Sequence, residues 1–203
     1  MPLVENSRDG KLRIAEAVWR TVAREGVAGV SVRAVATEAG VTGGTVQYHF
    51  PARAQMVHFA MELLAERFTQ RLTAMPRTGP VLAWTRAILL ELLPLNDERH
   101  REFRVWLSFT THAHTDSELT ALSRRFEGQL RELYQRLLRA RRDAILGDRD
   151  APRAEPEPLD DRDAAVLEAV VDGLALQLAG MEPGAAATLG PELLDRYLEV
   201  SAR

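Results

Sequence analysis

The chain has 203 residues, 46% of them apolar, with 26 basic and 29 acidic side chains for a net charge of −3. It contains no Cys, which excludes disulfides, thiolate metal sites and Cys nucleophiles. It shows neither a run of about 18 apolar residues nor a signal-peptide core, so a soluble, cytoplasmic protein of one or two domains without a membrane segment is expected. The charge is uneven: residues 1–56 carry 7 Lys or Arg and 5 Asp or Glu, and the remainder carries 19 and 24. A positive N-terminal segment suits a polyanionic partner better than the net charge implies.

Residues 2–11, with Arg8 and Lys11, read as a flexible arm. Ile14, Ala15, Val18, Trp19 and Val22 then give a helical stripe that runs to Glu25 and Gly26. Residues 31–50 are the most informative stretch. Ser31 is a good N-cap for a short helix with apolar Val32, Val35, Ala36 and Ala39. Gly40 supplies a positive φ, Val41 fills the corner, and Thr42 caps a second helix from Gly43 to His49. This order is that of a helix-turn-helix, whose second helix enters the DNA major groove. Gly43 and Gly44 each cost about 1 kcal/mol against Ala in a helix, so a pair at a helix start implies close approach of the backbone to something. Thr45, Gln47, Tyr48 and His49 offer hydroxyl, amide and imidazole groups to bases and phosphates. A helical hairpin that merely packs on a core is the other reading of the pattern.

Further helices are expected over 54–75, 80–93, 98–114 and 117–146, each with apolar residues at helical spacing and breaks at Pro76 and Pro94. Residues 147–163 are rich in Pro and charge and read as an exposed, partly disordered loop. Helices over 164–181 and 191–202 follow. There is no alternation long enough for a strand and no repeat of 20–50 residues, so the fold class is all-α.

The segment 12–64 resembles the DNA-binding domain of the TetR-type regulators. The resemblance rests on the first helix ending in Gly26, on the signature from Gly29 through Val41, and on Tyr48, His49 and Phe50 followed by a basic Arg53. It implies a three-helix helix-turn-helix head over 1–55 and a larger helical ligand-binding and dimerisation body over 56–203. By resemblance, Thr42, Gly43, Gly44 and Thr45 sit where base and phosphate contacts are made, and Tyr48 and His49 where phosphates are held. Ser31 and Arg33 open the supporting helix. Arg53 replaces the more usual Lys as a phosphate contact, and Gln47 stands where many members have Tyr.

Two expectations concern the body. The last two helices are apolar around much of their circumference, and the resemblance places a homodimer interface there: Leu167, Val170, Val171, Leu174, Leu178, Leu194 and Leu198. A dimer reads two half-sites of a near-palindromic, double-stranded DNA operator. The middle helices carry Trp84, Phe103, Trp106, Phe109, Phe126 and Tyr134 with Thr110 and His112, a mix suited to a small-molecule pocket. An enzyme is not expected. Ser108, His112, His114, Asp116 and Ser117 are close in sequence, but residues two apart on a helix point to different faces, and no phosphate loop, HExxH or nucleophile elbow is present. No metal and no cofactor is expected. The sequence therefore reads as a DNA-binding repressor released by an unidentified small-molecule effector. A helical protein-interaction adaptor and a regulator without a ligand are the alternatives.

Overall fold

In a computed structural model, residues 7–113, 116–147 and 161–200 are described, and every regular element among them is helical. In chain order these are α1 (Ser7–Glu25), α2 (Val32–Ala39), α3 (Gly43–His49), α4 (Arg53–Ala74), α5 (Val81–Glu91), α6 (Asp97–Ala113), α7 (Ser117–Gly147), α8 (Asp161–Ala179) and α9 (Pro183–Val200), with a 3-10 turn at Val27–Gly29. The all-α expectation holds: a helix-turn-helix head precedes a larger helical body. No helix among the described residues is long and apolar enough to cross a membrane.

Two boundaries differ from expectation. Helix α1 begins at Ser7, so Arg8 and Lys11 belong to a helix and not to an arm; residues 1–6 lie outside the described residues. Lys11 has a reason to be ordered, since its ammonium lies 5.9 Å from the Phe50 ring centroid and 6.0 Å from that of Phe59. Helix α9 begins at Pro183, and Pro191 sits inside it instead of starting it. The helix runs on through the proline because residues on both sides of it are held: Ala186, Gly190, Leu194 and Leu198 are all buried. Gly190 is essential to that packing, because a Cβ there would lie 2.5 Å from Leu95 Cδ2 and 3.0 Å from Leu178 Cδ1. Of the expected loop, residues 148–160 lie outside the described residues, and helix α8 already starts at Asp161.

The chain packs as two compact units, Met1–Thr69 with Arg104–Arg124, and Gln70–Phe103 with Arg125–Arg203. The first unit has one core, in which Ile14, Val18 and Val22 of α1 meet Val35 of α2, Val46 of α3, Met56 and Met61 of α4, and Val105, Phe109 and Leu119 of α6 and α7. Polar ties fix its helices. Trp19 Nε1 donates to the Ala60 carbonyl at 2.8 Å, and Arg67, 4.8 Å above the Trp19 ring, pairs with Glu16 at 2.8 Å. Glu38 of α2 accepts from Arg20 at 2.7 Å and Arg24 at 2.9 Å, which holds its carboxyl below the usual range, Arg24 having the larger effect. Asp116 caps α7 through the amides of Glu118 and Leu119, and His58 of α4 bridges Asp116 at 3.1 Å and Glu118 at 2.5 Å.

In the second unit, α8 buries Ala164, Leu167, Val171, Ala175 and Leu178, the inner stripe of a helix with period 3.6. Helix α5 buries Thr85, Ile88 and Leu89. Arg86 of α5 grips Asp195 of α9 with two nitrogens, one at 2.7 Å. Arg71 makes a fork onto Glu102, at 2.7 and 3.1 Å, and also reaches Glu91 at 2.7 Å.

Candidate nucleic-acid interface

The helix-turn-helix is built from two caps and a glycine. Ser31 Oγ accepts from the Ala34 amide at 3.2 Å and starts α2. Gly40 closes it with φ 66°, ψ 35°, a left-handed conformation that suits glycine. Thr42 then accepts from the Thr45 amide at 3.1 Å, and the Thr42 and Thr45 hydroxyls bond each other at 2.9 Å. These hydroxyls therefore serve first as the cap of α3, and both have lone pairs left for a phosphate.

Helix α3 turns Val46 into the core, which directs Gly44, Gln47 and Tyr48 outward. Tyr48 is 75% exposed, the most open large apolar side chain among the described residues. Neither glycine is required by internal packing. A Cβ on Gly44 would meet nothing nearer than Thr42 Oγ1 at 3.7 Å, and one on Gly43 only Val32 Cγ1 at 3.6 Å, both ordinary contacts. Arg33 is exposed, and its guanidinium bonds nothing among the described residues.

Two expected phosphate contacts have internal tasks. Arg53 turns back on the 3-10 turn, with Nε donating to the Val30 carbonyl at 2.7 Å and Nη2 to the Val27 carbonyl at 2.6 Å. Two of its nitrogens are thus committed to the backbone, a fork that a Lys could not reproduce. His49 packs against α1: a Cβ on Gly10 would lie 2.5 Å from His49 Nε2, so the imidazole occupies the place of a side chain there. Its ring also stands edge-on to Tyr48, with centroids 5.1 Å apart.

The expected ligand residues are divided between the two units. Trp106, Phe109, Thr110 and His112 belong to the first unit, and Trp84, Phe103, Phe126 and Tyr134 to the second. Phe109 is fully buried in the first unit's core with Trp106 packed against it, so both act as core there. The Thr110 hydroxyl bonds the Trp106 and Leu107 carbonyls of its own helix. The residues that resembled a catalytic set show no such arrangement among the described residues. Ser108 bonds the Arg104 carbonyl, Asp116 caps α7, and His114 lies outside the described residues.

In the second unit Tyr134 is 1% exposed, and its hydroxyl makes no hydrogen bond among the described residues. Burial first, then the charges of Asp172 and Glu168, push it well above the usual phenol range. Asp172 remains open to solvent as a whole residue, yet its carboxyl is pushed up to about 6 by surrounding protein and by Glu168 and Glu127. The sequence reading passed over these acids because the apolar residues around Glu168 and Asp172 dominate the pattern of α8.

The residues expected at a dimer interface are largely covered within the single chain. Leu167, Val171, Leu178, Leu194 and Leu198 are buried within the single chain, and Val170 and Leu174 are half-buried. The outward stripe of α8 is instead Val166, Ala169, Gly173, Leu176 and Gly180, with Val166 55% and Leu176 57% exposed.

A family profile for the tetR family of bacterial regulatory proteins matches residues 14–60, and one for the C-terminal region of BetI-type transcriptional repressors matches residues 81–202. The HTH-type transcriptional regulator PksA of Bacillus subtilis (strain 168) is 32% identical over 184 residues, covering 87% of this chain and 82% of PksA. A transcriptional regulator of a Rhodococcus species superposes with a TM-score of 0.73 at 30% identity, over 93% of this chain and 96% of that one. A Saccharomonospora viridis regulator structure in complex with choline gives a TM-score of 0.74 at 22% identity, over 95% and 96%, a likeness of fold alone. These are regulators and not enzymes, and the helix-turn-helix with its capped, outward-facing third helix agrees with them. The chain belongs to the TetR family of DNA-binding transcriptional regulators.

Proposed function

We propose that this protein is a homodimeric repressor that holds a near-palindromic operator with α3 and releases it when a small molecule binds the helical body. The observation that carries the DNA side is the open face of α3, where Gly44, Gln47 and Tyr48 point outward and no internal packing accounts for the glycines. Gln47 is chemically suited to pair with an adenine edge, and Tyr48 with a phosphate or a thymine methyl. Thr42, Gly43 and Thr45 present the start of α3 to a phosphate, with Ser31 and Arg33 beside them. Dimerisation is supported by the family and by the exposed, small-residue stripe of α8, on which a second helix could approach closely. Operator binding places the protein with the chromosome, in the cytoplasm.

Release by an effector requires only that the ligand bind better to a conformation in which the two α3 helices no longer match the half-sites. The choline held by the Saccharomonospora viridis protein supports a small-molecule site in a body of this fold. The test starts with genome-wide mapping of bound sites, followed by mobility shifts on the recovered DNA. Binding to a two-fold symmetric site, lost in Tyr48→Ala with helical content and dimer mass intact, is the expected result. Unchanged binding by the Gln47→Ala, Tyr48→Ala double variant would overturn the recognition-helix reading.

A further inference from the structure

The reading helix is tied to the rest of its unit through the helix that follows it. Only Phe50, Pro51 and Ala52 separate α3 from α4. The Phe50 ring lies against Phe59 of α4, with centroids 5.3 Å apart. Phe59 is the chain neighbour of His58, whose side chain is largely covered. His58 Nε2 lies 3.1 Å from Asp116 Oδ2, and Nδ1 lies 2.5 Å from Glu118 Oε2. The far side of this contact is firmly held. The Asp116 amide donates to the Ala113 carbonyl at 3.0 Å, and the Thr120 hydroxyl donates to the same oxygen at 2.5 Å. These bonds fix the start of α7 to the end of α6, where Phe109 and Ala113 are buried in the core of the unit.

A carboxylate only accepts hydrogen bonds, so carboxylates at both ring nitrogens require both nitrogens to be protonated. A neutral imidazole has one N–H; it serves one acid and turns a lone pair on the other. Imidazole ordinarily titrates near about pH 6.5, which makes this the contact in the unit most open to a change of pH. Burial raises the Asp116 carboxyl, but His58 and the amides of Leu119 and Glu118 together hold it below its usual range. The neighbouring cations are engaged elsewhere. Arg53 serves the Val27 and Val30 carbonyls, Arg67 pairs with Glu16 of α1, and Lys11 of α1 lies over the Phe50 and Phe59 rings. Glu62, one turn further along α4, is exposed and adds negative charge on the same face. A metal site does not compete, because no group of three His, Cys, Asp or Glu among the described residues could hold an ion. We propose that His58 is a positioning residue whose doubly protonated ring latches α4 to the start of α7, and that losing one proton opens the latch and weakens DNA binding. Glu118, 76% exposed, then moves into water, while Asp116 stays as the cap of α7. One hydrogen bond replaces two charged contacts, and Phe59 passes the slack to Phe50 and so to α3. A head no longer held in one pose must be ordered by the DNA, which costs affinity. The inference rests on α3 as the reading helix and adds a proton to what controls it.

The test measures affinity of the purified full chain for the mapped DNA by fluorescence anisotropy at pH 5.5, 7.0 and 8.5 and constant ionic strength. Wild type should bind about fivefold or more tightly at pH 5.5 than at pH 8.5. His58→Gln should lose that extra dependence and bind at each pH as wild type does at pH 8.5. Asp116→Asn, which keeps a capping side chain, and Glu118→Gln, at an exposed position, should each reduce the dependence with helical content intact. His49 of α3 and His112 of α6 are present in every variant, so a difference between profiles belongs to the latch. Without DNA, nitrogen-15 NMR should show two exchange-protected ring N–H signals for His58 at pH 5.5 and one at pH 8.5. The inference is overturned if His58→Gln keeps the wild-type profile or if both acid variants do. It is also overturned if fewer than two ring N–H signals are protected at pH 5.5, or if wild type binds more tightly than His58→Gln only at high pH. Failure of wild type to bind mapped DNA at every pH would overturn the reading of α3, and the NMR signals without DNA report the latch separately.

Discussion

Gly44 separates the demands of folding from those of binding. Its missing Cβ would meet only ordinary contacts, so Gly44→Ala should leave the thermal midpoint unchanged or raise it, by up to about 1 kcal/mol of helix propensity. Operator affinity should fall in the same variant, because the added methyl group stands between the α3 backbone and DNA. Equal affinity in a mobility shift would show that the glycine has no such role. Tyr48→Ala should cost about 1–3 kcal/mol of operator binding without loss of stability, as its side chain is largely in solvent. Arg53 behaves differently. Arg53→Lys keeps the charge but cannot serve both the Val27 and Val30 carbonyls, so it should lower the thermal midpoint as well as affinity. An Arg53→Lys protein as stable as wild type, with a flatter salt dependence of binding, would return the residue to phosphate contact.

At the scale of elements, local chemistry was legible where a helix is decided by its own residues. Ser31, Gly40 and Thr42 do what their side chains allow, and α2 and α3 fall where caps and glycine put them. Tertiary packing decided the rest. Pro191 signalled a helix start, but the buried residues on either side of it draw α9 straight through. Composition alone does not tell which apolar side of α8 meets its own chain, and the leucines that the resemblance offered to a partner are largely buried within it. The two sides now make opposite predictions. Leu178→Ala should destabilise the monomer fold by about 2–5 kcal/mol. Leu176→Glu should leave the fold intact and dissociate the dimer on sizing; a Leu176→Glu dimer of normal mass would move the interface off this stripe. The acid on the α7 side of the same helix adds a pH effect. The carboxyl of Asp172 is raised in the folded protein, so the folded state binds the extra proton between about pH 4 and 6, and stability falls as pH rises through that window. Asp172→Asn should therefore raise the thermal midpoint at pH 7.5, with the gain fading as pH is lowered to 4.

For the whole molecule, the proposed dimer makes affinity depend on two heads being presented together, since one head would read only half of a symmetric site. Any change that separates the subunits should abolish tight binding with α3 untouched, which mobility shifts on Leu176→Glu would show. The placement of α3 also depends on a residue that no reading of DNA contacts would single out. Gly10 lies on α1, in a stretch that passed for a loose arm, and the His49 ring occupies the room its side chain would take. Gly10 thus acts as a shim of zero thickness under the far end of the reading helix. Thickening it by one methyl group, Gly10→Ala, should tilt α3 while every group that faces the groove keeps its chemistry. The expected phenotype is a stable protein that still binds DNA but ranks operator variants in a different order, a change of specificity made without altering a single contact residue.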